Sequence, residues 1–208
     1  MFAGAALWAA GGLDLWGALD ADDVAGYLVA SAEVRPLLVA NLGLWMVGVL
    51  ALGVGGEALV GLCRRRPALA AVAAVCFRTG VPLALVAFLA MLAIVVRGDG
   101  LDASAAGLVG WVGARADDIA TALIVGLGPC GVSLAARDDW APTWLVRWGL
   151  AAGGAGFLVI PALLVPGLTS LALVVVPVGL GWMLATGWTL LRRPASVAAR
   201  TEPAVAAA

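Results

Sequence analysis

Apolar runs about as long as a bilayer is thick alternate with short polar connectors along almost the whole chain. A helix needs about 20 apolar residues to cross the hydrocarbon core. Backbone groups there must be satisfied within the segment, so each such run is read as an α-helix. The pattern predicts six spans: Phe2–Leu19, Pro36–Leu62, Ala68–Val96, Asp118–Ala136, Trp148–Val165 and Gly167–Leu191. The first is short and contains Asp14. The third has an alternative start near Thr79, because Thr79 to Val96 is already long enough to cross.

Five connectors separate these spans. Asp20–Arg35 is acidic and predicts a short surface helix with Asp20 as N-cap. Cys63–Pro67 carries Arg64, Arg65 and Arg66. Arg97–Asp117 is long, and its apolar piece Ala105–Val112 is expected to lie on the membrane surface. Arg137–Arg147 follows, and the Pro166-Gly167 turn closes the last two spans into an antiparallel hairpin. Residues 1–194 thus form one transmembrane domain, and 195–208 a short disordered cytoplasmic tail.

Arginine placement sets the orientation. With the N-terminus in the cytoplasm, Arg64, Arg65, Arg66, Arg137, Arg147, Arg192, Arg193 and Arg200 fall inside. Arg35, Arg97 and Arg115 fall outside. The expected fold class is therefore all-α: a polytopic membrane bundle of six transmembrane helices with both termini cytoplasmic. Trp140, Trp144 and Trp148 recur every four residues at the inner boundary and predict an interfacial aromatic face. Pro82, Pro129, Pro161 and Pro177 lie within spans, where kinks are tolerated.

Composition agrees. Hydrophobic residues are 63% of the 208 and charged residues 12%, against about a quarter charged in soluble domains. Mean hydropathy is +1.07. A soluble fold this short has too little interior to hide such a surface. All basic residues are arginine, a usage suggestive of a GC-rich bacterial source. No basic tract suits nucleic acid. The start lacks a basic n-region and contains Asp14, so it reads as a span rather than a cleaved leader. The native start is left open upstream of Met1.

Little chemistry is visible. Without histidine, the commonest general base and metal ligand is missing. Cys63, Cys76 and Cys130 show no CxxC spacing and read as small apolar packing residues, not a disulfide or a metal set. Gly126-Leu127-Gly128-Pro129-Cys130-Gly131 fits GxGxxG, but no strand precedes it and a proline interrupts it. A closely packing, kinked helix is the better reading. Gly149 and Gly153 make a GxxxG pair for packing inside the bundle, with a dimer seam as the alternative. No catalytic, cofactor or metal residues are assigned.

Ionisable residues below the headgroups are costly and are site candidates by default. Glu57 and Arg78 are expected to form an intramembrane pair between the second and third spans, their long side chains reaching toward each other. The alternative makes Arg78 a headgroup anchor, with Pro67–Phe77 on the surface. Asp14 and Asp118 are weaker candidates. Asp117 and Asp118 would stabilise the N-terminus of the fourth span.

From Asp117 the chain reads DDIATALIVGLGPCGVSLAARDDWAPTWLVRWGLAAGGAGFLVIPALLVP, then VVVPVGLGWMLATGWTLLRRP. The small-residue helix end, the Pro-Thr-Trp-Leu loop exit, the Trp-Gly helix entry and the closing Leu-Leu-Arg-Arg resemble a bacterial six-span integral membrane family known only as a domain of unknown function. The resemblance covers about Glu57 to Pro194 and is clearest over residues 117–194. It implies a fold and carries over no catalytic residue.

The functional expectation is a non-enzymatic component of the cell (cytoplasmic) membrane with a structural, sensory or partner-binding role. Its partners would be the lipid bilayer and a homo-oligomer or membrane-protein partner, with no cofactor and no nucleic acid. A small transporter or channel using Glu57 and Arg78 is the alternative, and a lipid-modifying enzyme the third. Reporter fusions test the orientation. A fusion at Arg65 or after Pro194 reads cytoplasmic, and periplasmic activity at either site overturns it.

Overall fold

The computed structural model describes residues 32, 34–97, 100, 102–164 and 172–192. The predicted first span with Asp14, all but the end of the acidic connector, the Pro166-Gly167 turn and the tail lie outside the described residues. Among the described residues the chain is helical. The elements are α1 (Arg35–Gly61), α2 (Pro67–Arg97), α3 (Ala103–Thr121), a π turn (Ala122–Leu127), α4 (Gly128–Ala136), α5 (Thr143–Leu164) and α6 (Ala172–Leu191). Because α3, the π turn and α4 run on as one rod, five helices are long and apolar enough to cross a membrane.

Large apolar side chains face outward along them: Val54 is 74% exposed, Leu108 66%, Val75 60% and Phe157 59%. Water would not tolerate an outer face of this kind, whereas hydrocarbon would. The third rod is the hub. Its most apolar stretch is 67% buried, against 33–39% for the other four helices. α2 packs along α3, the π turn and α4 on one side, and α5 along α4 and the π turn on another. α1 joins through α2, and α6 through α5.

The rod begins at Ala103, well before the expected Asp118. Ala105–Val112 is therefore not a surface piece of a connector, and Asp117 and Asp118 do not sit at a helix N-terminus. They lie 14 and 15 residues past Ala103, about 21 Å along the axis. Arg115 likewise belongs to the rod, not to an outer loop. The three charges look like a boundary in sequence, but the small residues before them pack: Gly113 opposes Ala90, and Ala106 and Ala116 are buried. α2 is continuous from Pro67, with Ala70, Ala73, Ala74 and Phe77 buried, so Pro67–Phe77 is no separate surface segment.

Pro129 explains the π turn. Proline has no N–H and crowds the carbonyl four residues back, here Val125. The rod widens just before it, and the Gly128 N–H bonds to the Leu123 carbonyl, five residues back. The Val125 carbonyl, left without its α-helical donor, faces Gly179 of α6, where any Cβ would strike it. Gly126 meets α5 in the same way: a Cβ there would lie 2.6 Å from Gly156 Cα. The glycine run is thus a close-packing helix. Gly149 and Gly153 also pack inward, against Ser133 and Cys130 of α4.

The tryptophans divide. Trp144 and Trp148 share a face on α5, with ring centroids 6.4 Å apart, and both are exposed. Trp140 precedes α5 and is buried, so it does not join that face.

Gly179→Ala should therefore cost about 1–3 kcal/mol, because backbone rather than a movable side chain blocks the new methyl. Gly154, with nothing near its Cβ position, is the control; its alanine variant should stay within about 0.5 kcal/mol of wild type. Denaturant unfolding in micelles compares the two.

Candidate functional site

Glu57 and Arg78 meet across the α1–α2 hairpin. The register is set by small residues: Gly53 lies against Val81, and Gly56 accepts the Phe77 ring, where a Cβ would be 2.6 Å from Cγ. This close approach leaves Glu57 opposite Arg78. Arg78 Nε donates to Glu57 Oε1 at 2.8 Å, and Nη2 to Oε2 at 2.7 Å. Two parallel bonds of this kind are the strongest geometry available to a guanidinium and a carboxylate. The pair points outward from the described bundle: the Arg78 side chain is 68% exposed and Glu57 38%. Glu57 lies four residues before Gly61, about 6 Å from that helix end. Arg78 lies 11 residues past Pro67, about 16 Å. The pair therefore sits on the outer wall toward the arginine-rich end.

At that end a second set of charges closes the bundle. Asp139 Oδ2 accepts from the backbone N–H groups of Arg64 and Arg65, at 2.8 and 3.0 Å. Arg66 Nε donates to Asp138 Oδ2 at 2.8 Å. The α1–α2 loop is thus latched to the α4–α5 loop through N–H groups beyond the end of α1. Beneath the latch Cys63 is buried, its thiol donating to the Leu59 carbonyl at 3.3 Å. Burial pushes the Cys63 thiol up; a Trp140 hydrogen bond lowers it, and Asp139 adds a further rise. The net rise keeps the thiol protonated at neutral pH. At the same end Arg192 stacks on Trp188, 4.1 Å from its centroid.

The middle of the third rod carries the other candidates. Asp118 pairs with Arg115 one turn away, at 3.3 Å. Arg115 Nη1 also reaches the Leu163 carbonyl of α5 at 3.5 Å. Asp117 turns to another face. It lines a small cavity with Val49 and Leu52 of α1, Ala84 and Phe88 of α2, and Thr121 of its own helix. The structure thus joins Glu57 to Arg78, pairs Asp118 with Arg115, and leaves Asp117 apart from both. Among the described residues no group of His, Cys, Asp and Glu could hold a metal ion.

Sequence reasoning missed the Asp117 cavity and the Asp139 latch. The first was signalled by the apolar run before Asp117, which continues the helix backward. The second was signalled by acids and arginines in two connectors assigned to the same membrane face.

Asp139→Ala should cost about 1–2 kcal/mol, since it removes two charge-assisted hydrogen bonds and leaves their N–H groups to water. Asp138→Ala, which breaks exposed pairs, should cost under about 1 kcal/mol. The Asp139 variant also removes a charge that raises the Cys63 pKa, so maleimide labelling of Cys63 at pH 7 should speed up. Unchanged labelling and unchanged unfolding would remove the latch from the account. No family model, curated protein or solved structure matches this chain.

Proposed function

We propose that the chain is a multi-pass protein of the bacterial cytoplasmic membrane, with six spans and both termini in the cytoplasm. It acts without chemistry of its own, by binding a second copy of itself through the outer face of α1 and α2. The observation that carries this is the outward ion pair. A guanidinium has five N–H donors, and Glu57 takes one from Nε and one from Nη2. Among the described residues the other three meet no acceptor, and leaving them so in hydrocarbon is costly. A neighbouring protein surface supplies such acceptors.

A two-fold partner fits this need. Such an interface places the same patch on both sides, so the carboxylate of one copy lies near the guanidinium of the other. The surrounding residues suit close packing in lipid. Val54 and Val75, each one turn before a member of the pair, are 74% and 60% exposed. Packing and interhelical polar contacts, not hydrophobic exclusion, drive association between helices in a bilayer. The transport reading draws less support. It needs Glu57 and Arg78 on an internal path, and their side chains are instead exposed on the outer wall.

The test is dilution of the reconstituted protein in lipid, with dimer fraction read by single-molecule photobleaching. Wild type should dimerise, and Arg78→Ala should weaken the dimer about tenfold, near 1–2 kcal/mol. A protein that stays monomeric at every protein-to-lipid ratio, with Arg78 held by lipid phosphate instead, refutes the reading.

A further inference from the structure

Asp117 is an ionisable group that neither the outward pair nor the latch uses. It stands 14 residues after Ala103 and 19 before Ala136, about 21 and 28 Å from the two ends of the rod. Its neighbours Leu52 and Ala84 are likewise well inside α1 and α2. The carboxyl is therefore near mid-depth of the bundle. It is half-buried and opens on a cavity of about 10 Å³, room for about one water molecule.

The surroundings leave the group unneutralised. α1 contributes Val49 and Leu52 to the cavity, α2 Ala84 and Phe88, and the π turn Ile124 and Val125. Among the charged groups on these elements, Glu57 and Arg78 are bonded to each other on the outer wall. Arg35 and Arg97 lie at the far ends of α1 and α2. On its own helix Arg115 pairs with Asp118 and donates to the Leu163 carbonyl of α5. Within α5 the one ionisable residue is Arg147, near its start, and the sequence of α6 has none. Among the described residues no ion pair reaches Asp117, so a lasting negative charge there is costly.

We propose that this cavity is a proton-binding site inside the bundle, with the Asp117 carboxyl as the group that takes up and releases the proton. The ligand is a proton and not a metal cation, because the lining is otherwise apolar. Thr121, one turn on, brings the one other side-chain oxygen. A hard cation needs a shell of several oxygens, whereas a proton needs one. The location also joins the site to a deformable element. Thr121, Ile124 and Val125 line the cavity, and the last two belong to the π turn, a feature frequent at functional sites.

Hydrophobic carbodiimides modify protonated carboxyls in apolar surroundings, which gives a direct test. Full-length protein in lipid vesicles is treated with dicyclohexylcarbodiimide across pH 5–9, and the adduct is mapped by mass spectrometry. The expected adduct is on Asp117, and its rate falls about tenfold per pH unit above the site's own pKa. Asp117→Asn abolishes it and Asp117→Glu retains it. If the Asn variant fails to fold, the wild-type pH profile decides alone. Modification at Asp118 or Glu57 in place of Asp117, a pH-independent rate, or protection by sodium at fixed pH would each overturn the assignment.

Discussion

Hydrocarbon accepts and donates no hydrogen bonds, and the placement of polar groups in these helices follows from that constraint. Val125 shows it on the backbone. Proline at 129 takes away the N–H that an α-helix would return to this carbonyl. In water a solvent molecule would replace it. Inside an apolar bundle the rod instead widens into a π turn, and the freed carbonyl is pressed against Gly179 of α6. Gly126 and Gly156 bring α5 onto the same few residues. Small residues thus gather there on three helices. The rod that carries the π turn is the most buried element of the bundle.

The charges obey the same rule in different ways. At the arginine-rich end they can reach water, and there they serve as mortar. Asp139 caps two backbone N–H groups, while Arg65, Arg137 and Arg192 remain exposed. Further in, Glu57 and Arg78 neutralise each other in a bidentate pair but still present N–H groups outward. Asp118 and Arg115 neutralise each other along one helix turn. Asp117 alone among these is neither at the end nor paired. A carboxyl can meet that condition in a way a guanidinium cannot, by carrying a proton. Its position and its residue type together make it distinctive.

The course of the chain was readable where apolar length decided the matter. α1, α2 and the α4 end of the third rod lie where the runs predicted them, because nothing but a helix satisfies their backbone in oil. The Glu57–Arg78 contact was readable too, since a short loop forces two helices antiparallel and fixes which turns face each other. The start of the third rod was not. Arg115, Asp117 and Asp118 in four residues look like the end of a span. Hydropathy averages over faces, and these three point to different ones: two toward each other and α5, one into a cavity. A pattern read in one dimension cannot register that division.

Trp140 makes the same point at a helix boundary. Four-residue spacing would align it with Trp144 and Trp148 only if the helix already ran through it. The chain instead turns at Asp139 so that this carboxylate can cap the α1–α2 loop, and the turn carries the Trp140 ring inward over Cys63. α5 starts only at Thr143. A contact between residues 75 apart in sequence thus overrides a local periodicity. The acid that makes it was legible as a charge and illegible as a cap. What selects between the two is the loop on the neighbouring hairpin, whose bare N–H groups lie within reach only after the helices have packed.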